Sequence, residues 1–252
     1  MEIRGERECT DCDTRWSYYE TGTIECPECG SVRSVGIGDR EEHTASPTEL
    51  DLGPAVDAVD EQAIDSVAAL AVEQARAYLR SAGFVHAGEL LPFSETYLLA
   101  AELRRVGATL SRALRIDDDE QLNFLSLLRG GADGERPAPA DVPDSLRAER
   151  GLAVAAAADA YVSDIRQLHE DPEPAVADVL SAVRARRKRI EALDGDVDPA
   201  EAEAVVRALR DLGEFFRTGE ETALARAGER LQSAEDCAKK PDSTPGRGVV
   251  SP

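Results

Sequence analysis

The 252-residue chain has no apolar run near the roughly 18 to 20 residues that a membrane span needs, and Met1-Glu2-Ile3-Arg4-Gly5 holds no apolar signal core. A soluble, cytoplasmic protein with no membrane partner is the expectation. Histidine is scarce: His43, His86 and His169 are the only three. None stands in a His-Glu-x-x-His or Glu-x-x-His arrangement of the kind that marks a metalloprotease or di-iron helix. There is no Gly-x-Ser-x-Gly and no phosphate-cradling glycine loop followed by Lys. With no recognisable carrier of catalysis, the chain reads as a non-enzyme, the alternative being an enzyme with its site in the helical domain. Lysine is nearly missing, with Lys188, Lys239 and Lys240 among 29 basic residues, and aromatics make up only 4%.

What is abundant is acid. Fifty Asp and Glu against 29 Lys and Arg give a net charge of −21. This balance, rich in Ala and poor in Lys, resembles proteins of a salt-loving cytoplasm, where a Debye length of about 3 Å at molar salt screens self-repulsion. At ordinary salt the same charge argues against a nucleic-acid partner held through its phosphates. Hydrophobic residues at 42% are enough for a core and too many for a disordered acidic chain.

Composition shifts near residue 40, because four of the five cysteines, the single Trp and two of the five Tyr lie before it. The division that follows is a small β module over 1–38, a linker over 39–55, an all-α helical bundle over 56–239, and a disordered tail over 240–252. The linker is polar and punctuated by Gly and Pro, and Ser46-Pro47-Thr48-Glu49 has the form of a cap for one short helical turn. In the body, six or seven helices are expected: about Val56 to Ala82, Phe93 to Leu114, one after Asp117-Asp118-Asp119, an Ala-rich one from about Pro143 to Glu170, one after Asp171-Pro172, one after Asp198-Pro199, and one from about Glu220 to Lys239. No strand-like alternation appears after residue 40. The run Ala155 to Ala158 has too little bulk to hold a neighbouring helix away.

The chemistry lies in Cys9-Thr10-Asp11-Cys12 and, after thirteen residues, Cys26-Pro27-Glu28-Cys29-Gly30. Two CxxC pairs suit a tetrahedral ion, since each tight turn supplies two coordination positions, so Cys9, Cys12, Cys26 and Cys29 are the expected Zn ligands. Rubredoxin-like iron uses similar knuckles, and disulfides fit the spacing but not a cytoplasmic setting. Between the pairs a hairpin is expected: Arg15 to Glu20 alternating, a turn at Thr21-Gly22, and Thr23 to Glu25 returning. A further strand is placed from Val32 to Ile37, with Ile3 on a leading one. About forty residues cannot build an adequate core, so metal binding would supply much of the folding energy. A site with four protein ligands is closed and structural, not catalytic.

The two knuckles, CTDC and CPECG, on a Trp- and Tyr-bearing hairpin resemble a zinc ribbon of the type found in transcription initiation factor B, over residues 1–38 only. With its acidic helical body the chain is also similar to haloarchaeal zinc-ribbon proteins. The resemblance implies a module that docks transcription machinery. Asp13 departs from the family, which commonly has Gly after the second Cys, and nothing like the cyclin-like repeats of a complete initiation factor follows. The alternative is an adaptor that holds a protein partner or a second copy, in keeping with 11 acids against 5 bases in residues 1–45. Arg4, Arg7, Arg15 and Arg33 gathered on one face with Tyr19 would favour nucleic acid, and scattered arginines the adaptor.

Other motifs read as structure. Asp194-Gly195-Asp196-Val197-Asp198 has the acids of a calcium loop, but Pro199 and Val205 stand where Gly and Glu are needed, so helix capping explains it. Asp117-Asp118-Asp119-Glu120 reads the same way. The basic run Arg184 to Arg189 spreads around its helix, and Arg187 continues the stripe of Val183 and Ile190, so it is expected half-buried against a carboxylate. Trp16, Tyr18 and Tyr19 fit either an exposed surface on which a base stacks or a cover for the metal and hairpin, with Trp16 leaning to the core and Tyr19 open between the two. Cys237 stands alone and reads as a partly packed helix residue.

Overall fold

The computed structural model describes residues 2–131 and 134–239, with side chains through 232. The expected tail at 240–252 lies outside the described residues, as does the side chain of Cys237.

A small strand region comes first. Strands β1 (Glu2–Ile3), β2 (Glu6–Cys9), β3 (Arg15–Ser17), β4 (Ser34–Ile37) and β5 (Glu41–Glu42) are joined by one helical turn, α1 (Tyr18–Thr21). An antiparallel sheet runs β3-β2-β4 with Arg7 opposite both Trp16 and Gly36, while β1 pairs with β5. The expected hairpin is corrected here. Alternation stops at Ser17 because Tyr18 N–H donates to the Gly5 carbonyl (2.7 Å) and the chain coils, ending at Gly22 in the left-handed region (φ +65°). Tyr19 then lies flat on Gly5, where an added Cβ would fall 1.9 Å from its ring.

The helical body contains α2 (Gly53–Asp57), α3 (Ile64–Ser81), α4 (Glu95–Leu110), α5 (Asp118–Gly130), α6 (Arg147–Leu168), α7 (Pro174–Ala192), α8 (Pro199–Thr218) and α9 (Glu221–Lys239). The expected run from Val56 to Ala82 is two helices, broken between Asp57 and Ile64. Asp117 and Asp198 start their helices as expected, but α7 starts at Pro174 after Glu173 and not at Pro172, which stands outside the helix. Asp117 and Glu120 form a capping box on α5, Ser94 Oγ accepts from Tyr97 N–H (3.1 Å), and Asp198 accepts from Ala200 N–H (2.8 Å) ahead of Pro199. One small ladder, β6 (Val85–His86) with β7 (Glu89–Leu90), interrupts the helices, contrary to the strand-free reading. Strands of two residues are too short to leave a period in the sequence.

Helix α6 sits at the centre, packed against α4, α7 and α8. Its Ala153, Ala155, Ala157 and Ala158 are buried, so small side chains are what let neighbours close in on several sides. Phe84, Phe93 and Tyr161 interlock beside them, with ring centroids 4.8 to 5.7 Å apart. A second cluster gathers α2 to α5 around Leu99, Leu103, Phe124 and Leu127. Between the clusters lies a buried charge network. Glu102 pairs with Arg150 (3.2 Å) and Arg136 (3.5 Å), Glu203 takes the same two arginines (3.4 and 3.1 Å), and Glu95 bridges Arg136 (2.7 Å) to Arg210 (2.6 Å).

The 39–55 stretch carries more order than its composition suggests. Besides the β5 pairing, Thr44 donates its hydroxyl to buried Asp164 (2.6 Å), which also accepts from Phe84 N–H (2.7 Å). His43 is buried against Tyr19 and His86 (ring centroids 4.7 and 5.3 Å) and accepts from Ala87 N–H (3.3 Å). These contacts tie the strand region to the body. No helical turn forms at Ser46 to Glu49, where Thr48 N–H instead donates to the Ser46 carbonyl (2.7 Å).

Candidate metal centre

Both cysteine pairs sit on turns of one build. Cys9 N–H donates to the Thr14 carbonyl (2.9 Å) and Asp13 N–H returns to the Cys9 carbonyl (3.1 Å). In the second turn Cys26 N–H donates to the Ser31 carbonyl (2.9 Å) and Gly30 N–H to the Cys26 carbonyl (3.0 Å). Strand β2 runs into the first turn and the second leads toward β4, so pairing of these strands brings the turns together. Thr10 N–H and hydroxyl both donate to the Arg33 carbonyl (2.9 and 3.0 Å), and Ser31 donates to Asp11 (2.6 Å).

The four Sγ atoms converge as a result. Cys9 to Cys29 and Cys12 to Cys26 are 3.6 Å apart, Cys12 to Cys29 is 3.4 Å, and all four lie within 4.8 Å of one another. A disulfide needs about 2.05 Å; all four cysteines are free. Cys9 and Cys26 are buried with Trp16, whose indole N–H donates to the Thr23 carbonyl (3.1 Å). Cys12 and Cys29 face solvent. The tetrad is close enough to hold one metal ion.

Electrostatics fit a cation there. The Thr14 hydroxyl and backbone, with the Cys29 sulfur, bring Cys12 down to about 6. At Cys29 the Ser31 backbone favours the thiolate but is outweighed by the Cys12 sulfur, desolvation, and the Cys9 and Cys26 sulfurs, so its thiol is pushed up to about 12. One thiolate forms readily and the next is opposed by its neighbours, a conflict that a bound divalent cation removes.

The remaining candidates lie elsewhere. His43 and His86 belong to the junction with the body, and His169 stacks on Phe216 (4.4 Å, 11°). Arg187, 20% exposed, pairs with Asp159 (2.5 Å) and Glu191 (3.5 Å). Arg186 is the more deeply buried member of that run, donating to the Leu231 carbonyl (2.7 Å), and Arg189 pairs with Glu201 (3.0 Å). The arginines of the strand region are scattered: Arg7 and Arg15 occupy adjacent register positions and so opposite sheet faces, Arg15 is held by Glu8 (2.6 Å), and Arg33 by Asp11 (3.3 Å). Tyr19 turns its hydroxyl onto the Ile3 carbonyl (3.2 Å). Glu102, Arg150 and Asp164 are buried charges that no motif in the sequence marks. Their signal was a charge inside an apolar helical run, as in Leu98-Leu99-Ala100-Ala101-Glu102-Leu103.

Among the described residues no helix is long and apolar enough to cross a membrane. No curated protein and no solved structure matches the chain. One family model matches residues 1–231, cysteine turns and helical body together, and the chain therefore belongs to the family of unknown function DUF7117.

Proposed function

We propose that Cys9, Cys12, Cys26 and Cys29 hold a structural Zn, and that the zinc ribbon so formed serves a non-enzymatic adaptor by docking a protein partner. The observation that carries this reading is the sulfur tetrad. Zn–S bonds of about 2.3 Å in a tetrahedron put sulfurs about 3.8 Å apart, and the shortest separations here are 3.4 to 3.6 Å. Four protein ligands leave the ion no open position, so its contribution is to folding. A reducing, cytoplasmic setting belongs to the same proposal, because thiols must stay free to bind.

A protein partner is favoured over nucleic acid by the arginine placement. Arg7 and Arg15 lie on opposite sheet faces, and Arg15 and Arg33 are held by carboxylates. Exposed Ile24, Val32 and Val35 instead give the ribbon aliphatic side chains to bury against another protein. The resemblance to the initiation-factor ribbon then extends to fold, with docking of polymerase subunits as its transcription-related form. The test is recovery of the tagged chain from its native cytoplasm with and without nuclease and with and without a chelator. One Zn per chain and a nuclease-resistant, chelator-sensitive protein partner are expected. Loss of all partners on nuclease treatment would overturn the adaptor reading.

A further inference from the structure

A cleft lined by four arginines lies on the body, away from the cysteines. Helices α3 and α4 cross closely at Gly107, where a Cβ would fall 2.8 Å from Val72 Cγ2 and 3.0 Å from the Ala68 carbonyl oxygen. This approach brings Arg76 of α3 beside Arg104, Arg105 and Arg112 of α4, with Glu149 of α6 at the edge, around an open cleft of about 380 Å³. On α4 the small Ala108 stands between Arg104 and Arg112 at four-residue spacing, which leaves the space that the arginines surround.

Many of the chain's arginines find carboxylates, as Arg136, Arg150, Arg187, Arg189, Arg210 and Arg226 do. In the cleft only Arg76 is closely paired, with Glu73 (3.0 Å). Arg104 has no hydrogen bond or ion pair among the described residues, and Arg112 is bonded only to the Ala108 carbonyl (3.0 Å). Arg105 reaches Glu149 at no better than 3.9 Å, while its buried Nε has no partner. Glu149 is itself engaged by the Thr109 hydroxyl (2.7 Å). Burial pushes the Arg105 guanidinium down, and Arg104 adds to that against the pull of Glu149. With Arg76 paired to Glu73 (3.0 Å), four cations stand against two carboxylates, an excess of two positive charges that a doubly charged anion would neutralise, and guanidinium forks match tetrahedral oxyanions two bonds at a time.

We propose that this cleft binds a phosphate group, presented as free phosphate or as the phosphoryl end of a small soluble phosphoester. A nucleic-acid strand fits less well, since a polymer would run from the cleft across a surface of the same sign as itself. The reading is independent of the metal centre.

Calorimetric titration of the full, metal-replete chain with inorganic phosphate, pyrophosphate, ATP and a poly-glutamate peptide tests it. The parent is compared with Arg104→Gln/Arg112→Gln and with Arg129→Gln/Arg207→Gln, which removes equal charge from exposed positions elsewhere. Arg104→Gln alone, which breaks no contact, serves if the cleft pair loses its helical circular dichroism. Saturable binding of a phosphate compound, weakened about tenfold or more by the cleft pair and unchanged by the other pair, is expected. Equal affinity for phosphate and ATP assigns the site to the free ion, and binding of the phosphoesters alone assigns it to a phosphoryl end. No saturable binding below about 10 mM, equal losses in both pairs, or preference for poly-glutamate would overturn the proposal.

Discussion

Asp13 and Gly30 occupy the same place in the two cysteine turns, each four residues after the leading cysteine, each left-handed (φ +59° and +69°), and each donating its N–H to that cysteine's carbonyl (3.1 and 3.0 Å). The first turn thus keeps the geometry of the second with a side chain where glycine is at ease. A non-glycine residue in this region costs roughly 1 kcal/mol, somewhat less for Asp. Asp13→Gly is therefore expected to keep the metal and to change stability by about 0 to 1 kcal/mol in the favourable direction, offset in part by the freer unfolded chain. Asp13→Val is expected to cost about 1 to 3 kcal/mol. Thermal unfolding of the metal-bound variants checks the order; a stabilising Val would show that the turn is not held left-handed.

Trp16 reports on the metal because it is the single Trp, is 7% exposed, and packs on Cys9 and Cys26. Without an ion the four sulfurs lose their common tie, and a cluster of three residues cannot hold the turns shut. Chelation, or Cys26→Ser, is expected to shift Trp16 emission to the red while the far-ultraviolet helical signal stays, since the body's two cores contain no residue of the cysteine turns. Unchanged emission after verified metal removal would mean that the strand pairing alone folds this region.

The cysteine spacing and the helix starts were legible because each rests on local chemistry: CxxC on one turn, Asp117 with Glu120, Asp198 before Pro199. What escaped depends on distant partners. Thr44 sits in a stretch that reads as a polar linker, yet its hydroxyl is satisfied by Asp164, 120 residues further on. Tyr18 continues an alternating pattern, but the Gly5 carbonyl bends the chain into a helical turn there. Glu102 and Arg150 are ordinary helix formers until the fold buries both. Counting charges could not separate them from their exposed neighbours.

Glu102 is 1% exposed and stands between Arg136 and Arg150, so Glu102→Ala would leave two buried guanidiniums with Glu203 between them and only half-exposed Glu95 besides, on Arg136. Removing one member of a buried ion network costs about 3 to 5 kcal/mol, whereas half-exposed Glu95 should cost far less. Urea unfolding is expected to show a lower midpoint at unchanged slope for Glu102→Ala, with Glu95→Ala close to the parent. A loss under about 1 kcal/mol at Glu102 would show that both arginines find other acceptors.

His43 makes the junction between strand region and body sensitive to acid. Its Nδ1 accepts the Ala87 N–H (3.3 Å), an interaction that only the unprotonated nitrogen supports. Burial holds its pKa below the usual histidine range, and nearby His86 lowers it further. For a base with a depressed folded-state pKa, the stabilisation is complete above the unfolded value of about 6.5 and is lost as pH falls through that value toward the folded one. His43→Gln retains an acceptor but cannot titrate. Urea midpoints from about pH 7.5 to 5 are therefore expected to fall more steeply for the parent than for His43→Gln, the gap closing toward acid. Since His169 is also lowered by burial and is present in both chains, the difference between the curves isolates His43. Parallel curves would mean that His43 remains neutral across the range or that the junction tolerates its charge.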